Sequence, residues 1–300
     1  MENENKPKTD KALKPVVLLT GSTSGIGLEL ARLLWHSDYR VIITARTQSI
    51  QSIQNEAFYE TERFRIQTLD VLSLEDIHAL IERINQEWGG VDILINNAGI
   101  SYRSVVEEMT DQDEWQQMAT NYLGPMCLIR SVLPMMRQKG YGRIINISSV
   151  GGMMAMPTMA SYSASKFALE GATEALWYEL KPWNIHVSLV QPGFIHSESF
   201  RRVFFSQTYQ LLGDASPYQE YYSHMSQFIE RMMTLSPVTA ESIARLILRL
   251  MKWKQPPLRV PATPDAHFFA LMRRLLPRSW YHALLYHLLP GIRHWVKHSR

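Results

Sequence analysis

A short apolar segment at residues 15–20 ends at a glycine-rich turn, and a helical pattern begins directly after it. The turn has glycines at positions 21, 25 and 27, and residues 28–34 place leucines at helical spacing. Glycine accepts positive φ and lets the main chain approach a ligand closely, while free N–H groups at a helix start attract an anion. The segment therefore predicts a strand, a pyrophosphate-binding turn and a helix. Its G-x-x-x-G-x-G spacing differs from the commoner G-x-G-x-x-G and G-x-x-x-x-G-K patterns.

Three side chains suited to carbonyl chemistry lie further along the chain. Tyr162 and Lys166 are four residues apart in a run with few helix breakers, so both leave the same face of one helix. A cation about 4 Å from a phenol is worth ~4 kcal/mol at an effective dielectric of ~20, so Lys166 is expected to lower the pKa of Tyr162. Ser149 ends an apolar run typical of a buried parallel strand, where its hydroxyl could bind a substrate carbonyl. Taken alone, such a Tyr–Lys pair is more often an ordinary helix-surface contact.

The order and spacing of these segments resemble the short-chain dehydrogenase/reductase family over residues 14–262, and residues 149–171 resemble its steroid- and retinol-type members. The resemblance is carried by residues 20–27, 96–99, 121, 149, 162–166 and 192–193. It implies an α/β fold: a single Rossmann-type doubly wound domain with a seven-stranded parallel sheet. It also implies bound NAD or NADP and hydride exchange with a carbonyl or alcohol carbon.

The resemblance further implies a role for each matched residue. Tyr162 would be the acid/base, Lys166 would lower its pKa and hold the nicotinamide ribose, and Asn121 would seat a water that relays protons. Asp70 would bind the adenine amino group. The implied catalytic residues are Asn121, Ser149, Tyr162 and Lys166, and the implied cofactor-binding residues are Gly21, Thr23, Ser24, Gly25, Ile26, Gly27, Arg46, Asp70, Val71, Asn97, Ala98, Gly99, Tyr162, Lys166, Pro192, Gly193, Ile195 and Ser197. No metal site is predicted.

Cofactor choice depends on the end of the second predicted strand. NAD enzymes place an acidic group there for the ribose hydroxyls, and a carboxylate would repel a 2′-phosphate. This chain has Ala45 followed by Arg46, which favours NADP(H) over NAD(H). A solvated loop cation is the alternative interpretation of Arg46. Ser24 stands where many NADP-dependent members add a second cation, so the predicted preference is modest.

One hydrophobic core is expected, because 46% of the 300 residues are hydrophobic and the motifs run through a single unit. Cys127 is the only cysteine, which excludes internal disulfides and cysteine metal clusters and fits a reducing compartment. We predict a disordered leader at 1–14 without a secretory signal, a Rossmann catalytic domain at 15–262, and a helical tail at 263–300. A cytoplasmic protein is expected, since no apolar run reaches the length of a membrane span.

The tail is strongly basic. Residues 255–300 carry seven Lys or Arg and one acidic residue, Asp265, a balance of +6 in a chain of net charge +3. Apolar side chains recur at helical spacing before and after Pro277, which predicts two short basic amphipathic helices. Such helices suit the membrane interface at the cytoplasmic face, and packing on the catalytic domain or on a second subunit is the alternative. No nucleic-acid partner is predicted, and a homodimer or tetramer is expected.

The substrate flap at about 198–236 is rich in Phe, Tyr and Met, and four further methionines lie between Ser149 and Tyr162. Such side chains form adaptable apolar pockets, although they could equally pack the flap or a dimer interface. We therefore predict an NADP(H)-dependent oxidoreductase that interconverts a carbonyl and an alcohol on a steroid-, retinoid- or long-chain-lipid-like substrate. The alternatives are a 3-oxoacyl reductase of fatty-acid type and a non-catalytic NADP(H)-binding sensor or scaffold.

Overall fold

Seven parallel strands form the central sheet of the computed structural model, which describes residues 14–54, 56, 58–196, 203–292 and 295. Their order is β3-β2-β1-β4-β6-β7-β9, which confirms the predicted doubly wound sheet. Strand order reverses between β1 and β4, where α/β sheets open a ligand crevice at their carboxyl ends. The strands are β1 (Val16–Leu19), β2 (Arg40–Ala45), β3 (Phe64–Thr68), β4 (Ile93–Asn96), β5 (Tyr102–Arg103), β6 (Gly142–Ile147), β7 (Ile185–Gln191), β8 (Phe204–Phe205) and β9 (Arg259–Pro261).

Helices cover both faces of the sheet, so the central strands β1, β4 and β6 are buried along their whole length. One core cluster joins the sheet to α1 and α9, and the other joins it to α3, α5 and α6. Cys127 is a buried free thiol in the second cluster. The helices are α1 (Gly25–Trp35), α2 (Ile50–Gln54), α3 (Leu74–Trp88), α4 (Asp111–Met118), α5 (Gly124–Lys139), α6 (Ala160–Leu180), α7 (Gln207–Leu212), α8 (Gln219–Leu235), α9 (Ala240–Leu250), α10 (Pro264–Leu275) and α11 (Arg278–Leu288).

The helical segment that begins at Asp111 is divided by a widened turn. Residues Ala119–Leu123 form one turn of π-helix between α4 and α5. Such turns are rare and often occur at functional sites, because they redirect side chains from the regular helical positions. Asn121 lies in the middle of this turn.

The described part of the flap is tied to the body by a small sheet and a buried polar network. Strand β8 pairs in parallel with β5. The Tyr222 hydroxyl on α8 donates to the Glu108 carboxylate at 2.8 Å and accepts from the Val105 N–H at 3.0 Å. Ser216 donates to the same carboxylate. Because these groups are buried and mutually satisfied, they hold α8 in a defined position.

The tail contains two helices, α10 and α11, which confirms the predicted C-terminal helical extension. No helix among the described residues combines the length and hydrophobicity that a bilayer span requires. The predicted leader falls almost entirely on residues 1–13, outside the described residues. Ser197 and residues 198–202 of the flap also lie outside them.

Candidate active site

Tyr162 and Ser149 meet at the carboxyl edge of the sheet. Ser149 follows β6, and Tyr162 lies in the first turn of α6 after the intervening loop 150–159. Burial raises the pKa of Tyr162, and a hydrogen bond with Ser149 lowers it by less. A side chain at Gly151 would place its Cβ 2.9 Å from Cε1 of the tyrosine ring. The glycine therefore lets the loop pass close to the phenol.

Lys166 lies one turn after Tyr162 on the same helix, as its spacing predicts, but its amine faces a main-chain carbonyl. The Nζ atom donates to the Ile147 oxygen at 2.9 Å and lies 5.9 Å from the centroid of the Tyr162 ring. Burial lowers the pKa of Lys166 to about 8. The expected lowering of the Tyr162 pKa by Lys166 is not found in this structure: the amine is directed at the Ile147 carbonyl, and burial of the phenol raises the Tyr162 pKa.

Asn121 joins the segment after β4 to α6. Its Oδ1 accepts from the Ile100 N–H at 2.9 Å, and its Nδ2 donates to the Ile100 oxygen at 2.9 Å and to Ser165 Oγ at 3.0 Å. A Cβ on Gly99 would lie 3.2 Å from Asn121 Oδ1 and 3.8 Å from Lys166 Nζ. Asn121, Gly99 and Lys166 are thus gathered at one place, and among the described residues Oδ1 accepts a hydrogen bond from one donor, which leaves its second lone pair able to accept another.

The glycine-rich turn is braced by the segment after β4. Asn97 Nδ2 donates to the oxygens of Thr20 and Gly21 at 3.0 and 2.9 Å. Gly21 has φ +70°, and a Cβ there would lie 2.7 Å from the Ala98 Cα. Any other residue would push these two segments apart, which is the physical reason for the glycine. Residues 21–24 form the turn, and Gly25, Ile26 and Gly27 begin α1.

The N-cap side chain of α1 leaves the first N–H groups of the helix without a side-chain partner. The Ser24 side chain makes no capping hydrogen bond, as is also the case before α5, α6, α8 and α11. The first N–H groups of a helix have no partner within the helix, and its dipole favours negative charge there. The turn therefore fits the pyrophosphate of a dinucleotide.

Arg46 and Asp70 line one cavity of about 360 Å³ beside the ends of β2 and β3. Arg83 of α3 lines the same cavity and was missed by sequence reasoning, since it is one of many exposed helix cations. The Asp70 carboxylate accepts from the Leu72 N–H at 3.0 Å. Val71, an implied cofactor-binding residue, is buried in the core with 9% of its surface exposed.

The loop after β7 is held by the tail. The Gly193 N–H donates to Thr263 Oγ1 at 2.9 Å, and the Phe194 N–H donates to Asp265 Oδ2 at 3.0 Å. A side chain at Gly193 would overlap the Asp265 carboxylate. The preceding residue, Pro192, accepts from the Val150 N–H at 2.7 Å, and Ile195 is buried. Sequence reasoning missed Thr263 and Asp265, because a helix-capping pattern at 263–266 does not reveal a distant partner.

Glu170 is a further residue that the sequence interpretation missed. It lies one turn after Lys166, and its Oε1 accepts from Ser148 Oγ at 2.7 Å and from Gln191 Nε2 at 2.8 Å. Burial raises the pKa of this carboxyl group. These contacts hold α6 against the ends of β6 and β7, at the residues that immediately precede Ser149 and Pro192. In the sequence, only the i, i+4 spacing from Lys166 indicated that Glu170 lies on the same helical face.

The tail also covers the loop between Ser149 and Tyr162. Tyr281 of α11 is 6% exposed and packs with Val150, Met153 and Met154. Partly buried residues of the tail complete this cluster: Phe269, Ala270, Met272, Leu276 and Leu285. At the far end, the buried Trp295 ring lies 4.5 Å from the Tyr221 ring of α8. The apolar tail is therefore part of the catalytic domain's own packing beside the candidate site.

Comparisons with known proteins agree with this arrangement. A family model described as short chain dehydrogenase matches residues 15–207. The chain is 33% identical to the 3-ketodihydrosphingosine reductase of Bacteroides thetaiotaomicron over 263 residues, which is 87% of this chain and 93% of that protein. It is also 33% identical to dehydrogenase/reductase SDR family member 7B of Bos taurus, over 61% of this chain and 58% of that protein.

Solved structures show the same fold. A short-chain dehydrogenase from Streptomyces avermitilis superposes with a TM-score of 0.75 at 28% identity, covering 91% of this chain and 96% of that one. The structure of ElxO with NADP bound has a TM-score of 0.67 at 27% identity, covering 83% and 96%. The chain therefore belongs to the short-chain dehydrogenase/reductase family and is an oxidoreductase.

Proposed function

We propose that the protein is an NADP(H)-dependent oxidoreductase that interconverts a ketone or aldehyde and an alcohol on a bulky lipophilic substrate. The observation that carries the proposal is the meeting of the Ser149 hydroxyl and the Tyr162 ring beside Gly151, with Lys166 one helical turn away. This pair stands at the sheet edge where the open start of α1 and the loop after β7 also lie. Asn121, Ser149, Tyr162 and Lys166 are the proposed catalytic residues.

The proton chemistry follows from the burial of these groups. Because its pKa is raised, Tyr162 keeps its proton at neutral pH and can donate it to a carbonyl oxygen. Ser149 binds the same oxygen through its hydroxyl and orients it toward the phenol. NADP(H), when bound, supplies or accepts the hydride at the carbonyl carbon. In this proposal a water held by Asn121 Oδ1 would link Lys166 to solvent and replace the proton that Tyr162 donates.

The residues present fit the cofactor. The N–H groups at the start of α1 would bind the pyrophosphate, and Arg46 and Arg83 would bind the 2′-phosphate in the cavity that they share with Asp70. The residue before Arg46 is Ala45, so β2 ends without a carboxylate to repel that phosphate. The similarity to ElxO, whose structure contains NADP, supports the preference for NADP(H).

The side chains around the candidate site support the proposed substrate class. Met153, Met154 and Tyr281 form an apolar cluster beside Ser149 and Tyr162, and Met156 and Met159 pack with α8. Apolar walls of this kind accept hydrophobic substrates and adapt to their shape. The similarity to a 3-ketodihydrosphingosine reductase supports a ketone on a long-chain lipid within this class.

The assembly and location are part of the same proposal. Exposed apolar side chains on two helices, Trp115 of α4 and Tyr178 of α6, support a homodimer or tetramer. We place the enzyme in the cytoplasm, with its basic tail in contact with the cytoplasmic face of a membrane. A lipid surface would be the source of a substrate too apolar to reach high concentration in water.

The decisive experiment is NADPH oxidation in the presence of a panel of lipophilic ketones, with Tyr162→Phe and Tyr178→Phe as matched variants. Tyr178 lies on the same helix, but it is 62% exposed and far from Ser149 in sequence. Tyr162→Phe should lower turnover by roughly 10²- to 10⁴-fold, because it removes only the transferable proton. Tyr178→Phe should retain wild-type turnover. Equal activity of the two variants would remove Tyr162 from the proposed role.

A further inference from the structure

Helices α10 and α11 carry a second apolar stripe beside the one that packs on the catalytic domain. Phe268, Leu271 and Leu275 recur at spacings of three and four along α10, and Trp280, Leu284 and Leu288 recur every four residues along α11. All six are between 42% and 69% exposed. With Tyr286 they are seven of the twenty large hydrophobic residues exposed in the described chain, and all lie within 21 consecutive residues.

This outer stripe is not needed for docking the tail. The inner residues of the two helices already bury Tyr281 and cover Val150, Met153 and Met154. A helix that folds only against its own domain requires one apolar face, and the remaining surface is normally polar. A concentrated second stripe on a stable surface indicates an apolar partner.

The charge around the stripe distinguishes between two apolar partners, a second copy of this chain and an anionic membrane. Arg273 and Arg274 are exposed at the end of α10, and residues 255–300 have a balance of +6. A symmetric contact with a second copy would place this basic surface against itself, which is unfavourable. Anionic lipid headgroups would attract the same cations while the hydrocarbon boundary accepts the Trp and Leu side chains.

We propose that the outer faces of α10 and α11 are a docking surface for an anionic lipid bilayer. This inference rests on the proposed function in one respect: the inner faces of the same helices cover the loop between Ser149 and Tyr162, so docking brings the substrate side of the enzyme to the lipid. The helices lie on the bilayer and do not cross it. A lipophilic ketone can then pass from the membrane to the site along the tail.

Vesicle sedimentation of the full chain tests the surface. We expect binding to phosphatidylcholine vesicles that contain phosphatidylserine, weaker binding to phosphatidylcholine alone, and partial release at high salt, because salt screens the cations but not apolar insertion. The combined variant Leu271→Ser, Trp280→Ser and Leu284→Ser should bind at least tenfold more weakly. A control at leucines elsewhere that are as exposed or more exposed, Leu211→Ser and Leu235→Ser, should bind like the wild type.

Activity measurements separate this proposal from the proposed function. The combined variant should retain wild-type turnover of a short water-soluble ketone and lose turnover of a ketone presented in vesicles. A wild type that binds vesicles but reduces no ketone would contradict the proposed function and leave the docking surface standing. The docking surface is refuted if the wild type binds neither type of vesicle, or if the combined variant binds them as tightly as the wild type does. A change from dimer to monomer in that variant, without vesicle binding by the wild type, would assign the stripe to a second copy instead.

Discussion

Replacing Tyr281 by alanine should detach the tail from the catalytic domain. Tyr281 is the most deeply buried aromatic side chain of α11, with 6% of its surface exposed, and it lies against Val150, Met153 and Met154. Its neighbour Trp280 is a matched control, because it is a larger aromatic residue on the same helix and is 69% exposed. The pair separates the effect of buried packing from that of aromatic residues in general.

The size of the effect follows from the environment of the ring. Truncating a buried aromatic side chain to alanine costs ~3–5 kcal/mol. The Tyr281 hydroxyl is buried without a hydrogen-bond partner among the described residues, so its removal returns about 1 kcal/mol. A net loss of ~2–4 kcal/mol in the free energy of unfolding remains. At about 2–4 °C per kcal/mol for a domain of this size, the melting temperature should fall by roughly 4–16 °C.

Thermal unfolding, trypsin digestion and hydrogen exchange together test this expectation. If the tail opens as a local unit, the melting temperature falls by less than this. The loss of stability then shows as faster trypsin cleavage at the arginines of α10 and faster hydrogen exchange in α11. Tyr281→Phe, which keeps the ring and removes the unpartnered hydroxyl, should be neutral or stabilising. The reasoning fails if Tyr281→Ala leaves all three measurements unchanged, or if Trp280→Ala has an equal effect.

Three further predictions concern the cofactor and the site. Arg46→Asp should raise the Kd for NADPH more than tenfold in titrations, since a charge-assisted contact with the 2′-phosphate becomes a repulsion. The Kd for NADH should stay unchanged or fall. Equal wild-type affinities for the two cofactors would contradict the NADP assignment. Gly193→Ala should lower the melting temperature and weaken cofactor binding, because its Cβ overlaps the Asp265 carboxylate, whereas Gly171→Ala in α6 meets no atom within 4 Å and should be neutral or stabilising. Burial lowers the pKa of Lys166 from 10.5 to about 8, so the unfolded chain binds more protons between these values and stability should rise with pH across that window. Lys166→Met should remove up to about 3 kcal/mol of this rise, measured by denaturant unfolding of the cofactor-free protein, and identical pH slopes would refute the assignment.

Local patterns in the sequence were sufficient for the sheet, the glycine-rich turn and the placing of Tyr162 and Lys166 on one helix. Each depends on near neighbours along the chain: apolar runs form buried strands, and a spacing of four residues sets one helical face. The spacing did not determine what the Lys166 amine faces. That outcome depends on the Ile147 carbonyl, nineteen residues away in sequence and adjacent only after β6 and α6 have packed.

The tail shows the same division. Its composition predicted two basic amphipathic helices, and the structure contains α10 and α11. The sequence could not decide between a membrane and the catalytic domain as the partner of their apolar residues, because helical periodicity shows which residues share a face but not what covers it. Tertiary packing resolved the inner face: Tyr281 covers the loop before Tyr162, and Asp265 binds the Phe194 N–H across 71 residues of chain. Contacts between distant segments depend on how the elements fit together in space, and for that reason only the folded structure could reveal that the tail helps to build the candidate site.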